Sequence, residues 1–242
     1  MITYKQLVEK TMPPEKKRSA SRCVVGHYLV RPISNIISIP LIEMGVNPTP
    51  VTIVSLIPIL LAMVCFIFSK TITGFIVGWL LILLWNILDG VDGNIARYCN
   101  KTSKTGEMWD ATVGWIAVIV FYEGIGFATY RLGENHFIEP AYYLFLGGMT
   151  AILWLFPRLV MHKKTSVMGS SESSHTLKDL NHEKKNIKDI AKLFFFNCIS
   201  INGGAAIIFL VSMLTGVLEV CMWFYFLLNG LVALGSLWAL LK

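Results

Sequence analysis

Long apolar runs are the feature that most limits how this chain can fold. Six of them lie at approximately residues 49–69, 73–95, 108–130, 137–160, 190–214 and 217–240. An apolar helix of about 20 residues crosses a hydrocarbon core roughly 30 Å thick, and these runs are too long for the core helices of a soluble domain. The sequence therefore predicts an all-α, polytopic membrane protein with six transmembrane helices.

The overall composition agrees with this prediction. Hydrophobic residues make up 55% of the 242 residues and charged residues only 15%, and the mean hydropathy is +0.61. A soluble globular domain is about 25% charged. The first apolar run starts near residue 49, after seven Lys and Arg residues, which is too late for a cleavable signal peptide.

The basic residues predict the orientation. With the six spans above, 19 of the 21 Lys and Arg residues fall on one side, leaving Lys70 and Arg131 opposite. The positive-inside rule then places both termini in the cytoplasm. The net charge of +6 follows from this topology and favours contact with anionic headgroups. No soluble basic face remains for nucleic acid.

The chain divides into two predicted regions. Residues 1–47 form a cytoplasmic segment, in which residues 24–44 are roughly amphipathic and predict a helix lying in the membrane interface. An ordinary cytoplasmic tail is the alternative. Residues 48–242 form the six-helix transmembrane domain, with a Ser-rich, charged cytoplasmic linker at about 163–189. Gly203 and Gly204 interrupt the fifth run, which predicts a close helix contact or a kink.

Acidic residues gather where the second and third predicted spans meet the cytoplasm. Asp89 and Asp92 are three residues apart and share a helix face, and Asp110 opens the next helix after a short loop. Carboxylates so close together at a membrane edge favour a cation between them. Oxygen ligands without His or Cys indicate Mg²⁺ or Mn²⁺ rather than zinc.

Small residues and an arginine accompany the acids. Gly90, Gly93 and Ala96 leave the helix surface bare near the carboxylates, so that a phosphorylated ligand can approach the backbone. Arg97 offers a bidentate donor for phosphate. A metal, an arginine and small residues together have the chemistry of a pyrophosphate site. The alternative is that the acids are solvated helix ends and the glycines serve only helix packing.

This run of residues resembles the signature of the CDP-alcohol phosphatidyltransferase family, D-x2-D-G-x2-A-R-x8-G-x3-D-x3-D. Seven of its eight fixed positions are filled with the right spacing, by Asp89, Asp92, Gly93, Ala96, Arg97, Gly106 and Asp110. The six-span layout is also that of the family. The resemblance covers most of residues 28–130 and, more loosely, the rest of the chain.

The resemblance implies an integral-membrane transferase of phospholipid or related phosphodiester synthesis. Such an enzyme moves a substituted phosphate from a CDP-alcohol, for example CDP-diacylglycerol, to an acceptor alcohol and releases CMP. Asp89, Asp92 and Asp110 would be catalytic and hold Mg²⁺ or Mn²⁺, and Gly93, Ala96 and Arg97 would contact the CDP moiety. At least one substrate would be a lipid, and family members are often homodimers.

One position departs from the signature. The eighth fixed residue, an Asp that in the family is a metal ligand and the general base, is Gly114 here. The acceptor could bring its own base, or Glu107 could substitute, although an acid at that position also suits a helix start. The chain could instead bind a CDP-alcohol without efficient turnover, or Gly114 could be a substitution in the sequence.

Two further residues and two alternative functions need their own interpretation. Arg158 lies in a region where the family binds an acceptor phosphate, but it also suits a simple positive-inside anchor. Glu123 is 13 residues after Asp110, which places it on a different helix face, outside the site. A non-catalytic CDP-alcohol-binding homologue is the main alternative function. An ion-coupled transporter would place acids near mid-bilayer on several helices, unlike the single cluster here.

Overall fold

The computed structural model describes residues 2–12, 23–133, 137–168 and 197–240. Within these ranges all regular structure is helical, so the predicted all-α fold is confirmed. The helices are α1 (Tyr4–Thr11), α2 (Arg31–Glu43), α3 (Pro48–Val54), α4 (Leu56–Phe68), α5 (Ile72–Tyr98), α6 (Lys104–Leu132), α7 (Tyr142–Met168), α8 (Ala206–Thr215) and α9 (Leu218–Leu240). Short π-helical turns, Gly26–Val30 and Ile201–Ala205, precede α2 and α8.

Five helical segments of the described chain are long and apolar enough to cross a membrane, which confirms the prediction of a polytopic membrane protein. They match the first four predicted spans and the last, and are Pro48–Phe68, Ile72–Tyr98, Lys104–Leu132, Tyr142–Lys164 and Leu218–Trp238. The predicted span at 190–214 is described only from residue 197, where a shorter apolar segment, Ile201–Thr215, is found. The sixth span therefore stays a prediction, and most of the predicted linker lies outside the described residues.

The predicted interruption at Gly203 is a kink before α8. Gly203 has non-helical dihedral angles (φ −81°, ψ −106°), and a Cβ at this position would lie 2.5 Å from the carbonyl oxygen of Asn197. The indole Nε1 of Trp79 donates to the carbonyl of Ala206 at 2.8 Å and ties the kinked segment to α5. The glycine therefore permits a close backbone approach that a side chain would block.

A single aromatic ring organises the packing of α4, α5 and α6. Phe66 is 1% exposed, and a Cβ at Gly78 or Gly124 would lie 2.4 or 2.5 Å from its ring atoms. Glycine on both neighbouring helices thus lets them close around the ring, where tight packing supplies dispersion energy. This contact holds α4, α5 and α6 together in the half of the bundle away from the motif, since Gly78 is 11 residues before Asp89 on α5 and Gly124 is 14 residues after Asp110 on α6.

Helix α2 packs on the motif end of α5 through polar side chains. Ser34, Asn35 and Ser38 are buried against α5, whereas Ile36 is 62% exposed. A Cβ at Gly90 would lie 2.7 Å from the Ser34 hydroxyl oxygen, so this glycine serves the contact between the helices. A helix with an outward apolar side agrees with the predicted amphipathic segment, and its position in a membrane interface stays a prediction.

Candidate active site at the motif end of the bundle

A short turn between α5 and α6 positions the acidic residues. After α5 ends, Asn100 adopts a left-handed conformation (φ 53°), and the amide of Lys101 donates to the carbonyl of Ala96 at 2.9 Å. The Ser103 hydroxyl then accepts from the Gly106 amide at 3.0 Å and caps the start of α6. The turn makes the two helices antiparallel neighbours and brings Asp110 beside the acids of α5.

The three carboxyl groups lie close together. The side chains of Asp89 and Asp110 share a hydrogen bond, and Asp92 interacts electrostatically with both. Asp92 is 4% exposed, and its Oδ2 accepts a hydrogen bond from the hydroxyl of Thr52 on α3. Two carboxylates in direct contact need a proton or a cation between them, because like charges disfavour joint ionisation.

The donor chemistry of this cluster fits a hard divalent cation. Among the described residues no group of three or more His, Cys, Asp and Glu side chains has the arrangement of a preformed metal centre. Asp89 and Asp110 nevertheless already face each other, and they offer only oxygen ligands, which Mg²⁺ and Mn²⁺ prefer. These carboxylates could hold such an ion once ligand oxygens complete its coordination.

A cavity of about 470 Å³ opens beside the carboxylates, between α3, α5 and α6. Its walls are built from residues of the motif, from small or hydroxylated neighbours, and from Lys101 and Lys104. A Cβ at Gly93 would lie 2.9 Å from both Nη atoms of Arg97, so the bare backbone and the guanidinium adjoin each other. The lining residues include Thr52, Asp92, Gly93, Ala96, Arg97, Ser103, Gly106 and Asp110.

A smaller cavity of about 200 Å³ lies on the other side of the same carboxylates, between the start of α2, α5 and the kinked turn before α8. Gly93, Arg97 and Asp110 border both cavities. The remaining polar lining of the small cavity is Arg31, Ser34, Asn86, Asp89, Asn94 and Asn202. The acids and Arg97 therefore stand at a junction between two spaces, one larger and one smaller.

A comparison of the sequence with models of known protein families identifies the family of this chain. A family model described as CDP-alcohol phosphatidyltransferase matches residues 46–227, three quarters of the chain. The chain belongs to this family. The match contains the three acids and Arg97, and it begins after α2, so Arg31 lies outside it. No curated protein that was compared matches the chain.

Gly114, the position that departs from the family signature, has open space around it in this family member. Gly114 lies one helical turn after Asp110, and a Cβ built there would have no atom within 4 Å. A side-chain Cβ could therefore be added here without moving a neighbour. Glu107, the suggested substitute, borders the larger cavity. Glu123 instead lies against the glycines of α7, where a Cβ at Gly148 would be 2.9 Å from its Oε1.

Arg158 is not brought to the carboxylates. Its Nη1 donates to the carbonyl of Trp154 at 2.7 Å, and the guanidinium lies over the Trp154 ring at 3.4 Å from the centroid. It borders neither of the two cavities described above. The role of Arg158 in binding an acceptor phosphate, implied by the resemblance, stays a prediction.

Several polar residues of the site were not predicted from the sequence. Thr52 is a polar residue inside an apolar run, and Asn86 is one turn before Asp89 on the same face of α5. Their positions in the sequence could therefore have marked both as candidate site residues. Asn94 donates to Asn35 Oδ1 at 2.9 Å and to the Ser38 hydroxyl oxygen at 3.2 Å. Nothing in the local sequence pairs Asn94 with α2, because the two segments are more than 50 residues apart.

Proposed function

We propose that this protein transfers a substituted phosphate from a CDP-alcohol to the hydroxyl of an acceptor alcohol and releases CMP. Family membership supports the reaction class, and the junction of two cavities at the acids is the observation that carries the proposal. A displacement between two substrates needs one space for each, on opposite sides of the reacting phosphorus.

The chain's own side chains would divide the work as follows. The bare surface at Gly93 and Ala96 admits the nucleotide to the larger cavity, and Arg97 binds the diphosphate at the junction. A bound Mg²⁺ or Mn²⁺, held by Asp89, Asp92 and Asp110, would supply charge stabilisation for the diphosphate oxygens. Thr52 orients the Asp92 carboxylate through its hydrogen bond.

In the reaction, the acceptor oxygen forms a bond to the β-phosphorus of the CDP-alcohol. The bond between that phosphorus and the bridging oxygen breaks, and CMP leaves with the bridging oxygen. The proton of the acceptor hydroxyl needs a base, which the family's Asp provides and Gly114 lacks. We infer that the acceptor itself, for example through a phosphate group, takes this proton.

The proposal includes a location. The protein would lie in the cell membrane or inner membrane, with both termini and the site on its cytoplasmic side. This orientation agrees with the bias of Lys and Arg toward one side. The carboxylates would then lie at the level of the headgroups, where a lipid donor such as CDP-diacylglycerol enters sideways from the bilayer. This arrangement suits phospholipid synthesis, and a homodimer is compatible with it.

The test is CMP release by the purified protein in lipid nanodiscs. The assay would contain Mn²⁺ or Mg²⁺, CDP-diacylglycerol and a panel of acceptor alcohols and phosphorylated alcohols. We expect release that depends on the metal and on one class of acceptor, and that stops with EDTA. Release that continues unchanged in EDTA would overturn the role given to the carboxylates.

A second candidate function, a binding protein without efficient turnover, is favoured by the absence of a carboxylate at residue 114. Gly114→Asp separates the two, because a Cβ at this position meets no neighbouring atom within 4 Å and the substitution restores the carboxylate of the family signature. If a base is lacking, the rate should rise, by up to the roughly 10²-fold or more that a general base contributes. An unchanged or lower rate would indicate that glycine suits the natural substrate. No CMP release in either form, with CDP binding intact, would favour the binding protein.

A further inference from the structure

The short N-terminal helix α1 packs on the motif end of α5, although it lies outside the residues that the family model matches. Its Leu7 is fully buried. The side chain packs with Ile42 of α2 and with Val91 and Ile95 of α5. Val91 lies between the two acids of α5 in the sequence, and Ile95 is one helical turn later on the same face. Helix α1 therefore contacts the segment of α5 that carries the carboxylates.

Contacts at both ends hold α1 in place. Before the helix, the amide of Ile2 donates to Oε1 of Glu43, the last residue of α2, at 2.6 Å. In the last turn of α1, Nζ of Lys10 lies over the Tyr98 ring, 4.4 Å from the centroid. The helix has only 8 residues, and isolated helices of that length are not stable in water. The helical state of α1 therefore depends on these contacts, so that its folding and its docking are one event.

A chain of side-chain hydrogen bonds connects α1 to the guanidinium of the site. Asn35 Nδ2 donates to the Tyr4 hydroxyl at 3.3 Å. Asn94 Nδ2 donates to Oδ1 of the same Asn35 at 2.9 Å, and Asn94 Oδ1 accepts from Arg97 Nη2 at 3.2 Å. Both amides are buried, where hydrogen bonds are stronger than in water. Each amide is thus held in one orientation by its partners, from Tyr4 to Arg97.

The orientation of Arg97 matters because this side chain borders both cavities. A guanidinium binds phosphate oxygens through two parallel N–H groups, so it must present the correct edge. An arginine side chain also has many rotamers, and fixing one of them on binding costs entropy. A neighbouring element that fixes the guanidinium in advance therefore increases the affinity for the ligand.

We propose that α1 is a positioning helix for the nucleotide side of the site. When α1 is docked, it orders the Arg97 guanidinium through the hydrogen-bond chain that starts at Tyr4, and the affinity for the diphosphate of the CDP moiety rises. Leu7 holds the helix in place. Both residues of α1 act through Arg97, and neither contacts the substrate. The assignment rests on the proposed function, in which Arg97 binds the diphosphate. Tyr4, Leu7 and Asn35 precede residue 46, so this control is an addition to the matched family domain.

The first measurement needs no substitution. Because coupling between two binding events is reciprocal, docking that strengthens CDP binding must itself be strengthened by bound CDP. Amide hydrogen exchange of the whole protein in nanodiscs with Mn²⁺ is compared with and without saturating CDP. We expect exchange in α1 to slow about tenfold with CDP, within the usual range of such couplings, and not to slow with cytidine, which has no phosphate. Unchanged exchange in α1 at saturating CDP would overturn the proposal, and so would equal slowing by cytidine.

Substitutions on α1 test the same coupling from the other side. Leu7→Gln places an amide in an apolar cluster and should undock the helix, so the affinity for CDP with Mn²⁺ should fall about tenfold. Tyr4→Phe removes only the hydroxyl at the start of the chain and should weaken CDP binding about two- to threefold. Lys5→Gln is the matched control, because it introduces the same residue as Leu7→Gln at an exposed position of the same helix. Its CDP affinity should not change.

A double substitution separates positioning from general destabilisation. If α1 acts through Arg97, Leu7→Gln should have no further effect on CDP affinity once Arg97→Gln has been introduced. An equal loss in both backgrounds would overturn the proposal, because the effect would then not require the guanidinium. If Leu7→Gln does not fold, the hydrogen exchange of the unmodified protein decides alone.

Failure of this assignment and failure of the proposed function give different results. Slower exchange of α1 with CDP, but no CMP release from any donor, would leave the positioning helix intact and remove the transferase reaction. Metal-dependent CMP release, with the CDP affinity of Leu7→Gln unchanged, would leave the reaction intact and remove the role of α1.

Discussion

The two sides of α5 at its motif end differ in packing: one borders a cavity, and the other packs its polar groups against a neighbouring helix. Toward α3 and α6, the surface is bare at Gly93 and Ala96 and borders the larger cavity. Toward α2, polar side chains are packed together: Asn94 donates to both Asn35 and Ser38, and Gly90 lies against Ser34. The two glycines therefore make room for different neighbours, since Gly93 lies beside the Arg97 guanidinium at the cavity and Gly90 lies against the adjacent helix α2.

The difference teaches how one helix can present a reactive surface and still be held in place. Asn94 is joined to α2 on one side, and its Oδ1 accepts from Arg97 Nη2 at 3.2 Å on the other. The packed side therefore positions the guanidinium that borders both cavities. Side chains that are ordered by their neighbours before a ligand arrives lose less entropy on binding.

The largest effect is expected from the acids at the junction of the two cavities. Asp89→Asn or Asp92→Asn keeps the shape of the side chain but removes a negative charge from the cluster. Since charge stabilisation by a metal contributes several kcal/mol to such a reaction, the rate of CMP release should fall by about 10³-fold. The measurement is CMP release together with Mn²⁺ affinity, which should weaken in parallel.

Glu123→Gln is the matched control for this loss, because Glu123 lies on α6 against Gly147 and Gly148 and borders neither cavity. Its rate should stay within about twofold of the unmodified protein. Full activity in either Asp variant would show that the carboxylates do not form the reactive centre.

A smaller effect is expected where the bare surface is filled. In Gly93→Ala, the added Cβ would lie 2.9 Å from both Nη atoms of Arg97, so the guanidinium must move or the cavity must narrow. We expect the KM for the CDP-alcohol to rise about 10- to 100-fold, as is typical when a supporting contact of a reactive site is lost. Steady-state kinetics with varied donor and saturating acceptor measures this change.

Gly235→Ala on α9 tests whether any added methyl group in a membrane helix has the same consequence. A Cβ there has no atom within 4 Å, so the donor KM should not change. If Gly93→Ala raised the KM for the acceptor and not for the donor, the two cavities would have to exchange their roles.

Local patterns in the sequence predicted that the three acids would lie close together, as they do in the structure. The spacing of Asp89, Asp92 and Asp110 depends on helix periodicity and one short loop, and both are encoded within 22 residues. Five of the six predicted spans likewise match membrane-length helices of the described structure, because length and composition decide that property.

The packed side could not be predicted in the same way. The pairing of Asn94 with Asn35 joins residues 59 apart, and the local pattern of α2 predicted only an amphipathic helix. That the polar face of α2 would be buried against α5, with Ile36 exposed, depends on tertiary contacts. The cavity beside Asn86 also needs the kinked turn at Ile201–Ala205, whose position comes from contacts such as that of Trp79 with Ala206.

The smallest effect should come from Thr52, which links α3 to the acids. Thr52→Val is nearly isosteric and removes only the hydroxyl that donates to Asp92 Oδ2. Because hydrogen bonds to a metal-binding carboxylate set its orientation, the Mn²⁺ concentration for half-maximal rate should rise about tenfold, with a smaller change in the maximal rate. Thr215→Val is the control, since that hydroxyl donates only to the carbonyl of Val211 in its own helix. Equal metal dependence in both variants would mean that Asp92 is oriented by its own helix. The hydrogen bond from Thr52 on α3 would then not be needed to position Asp92 for metal binding.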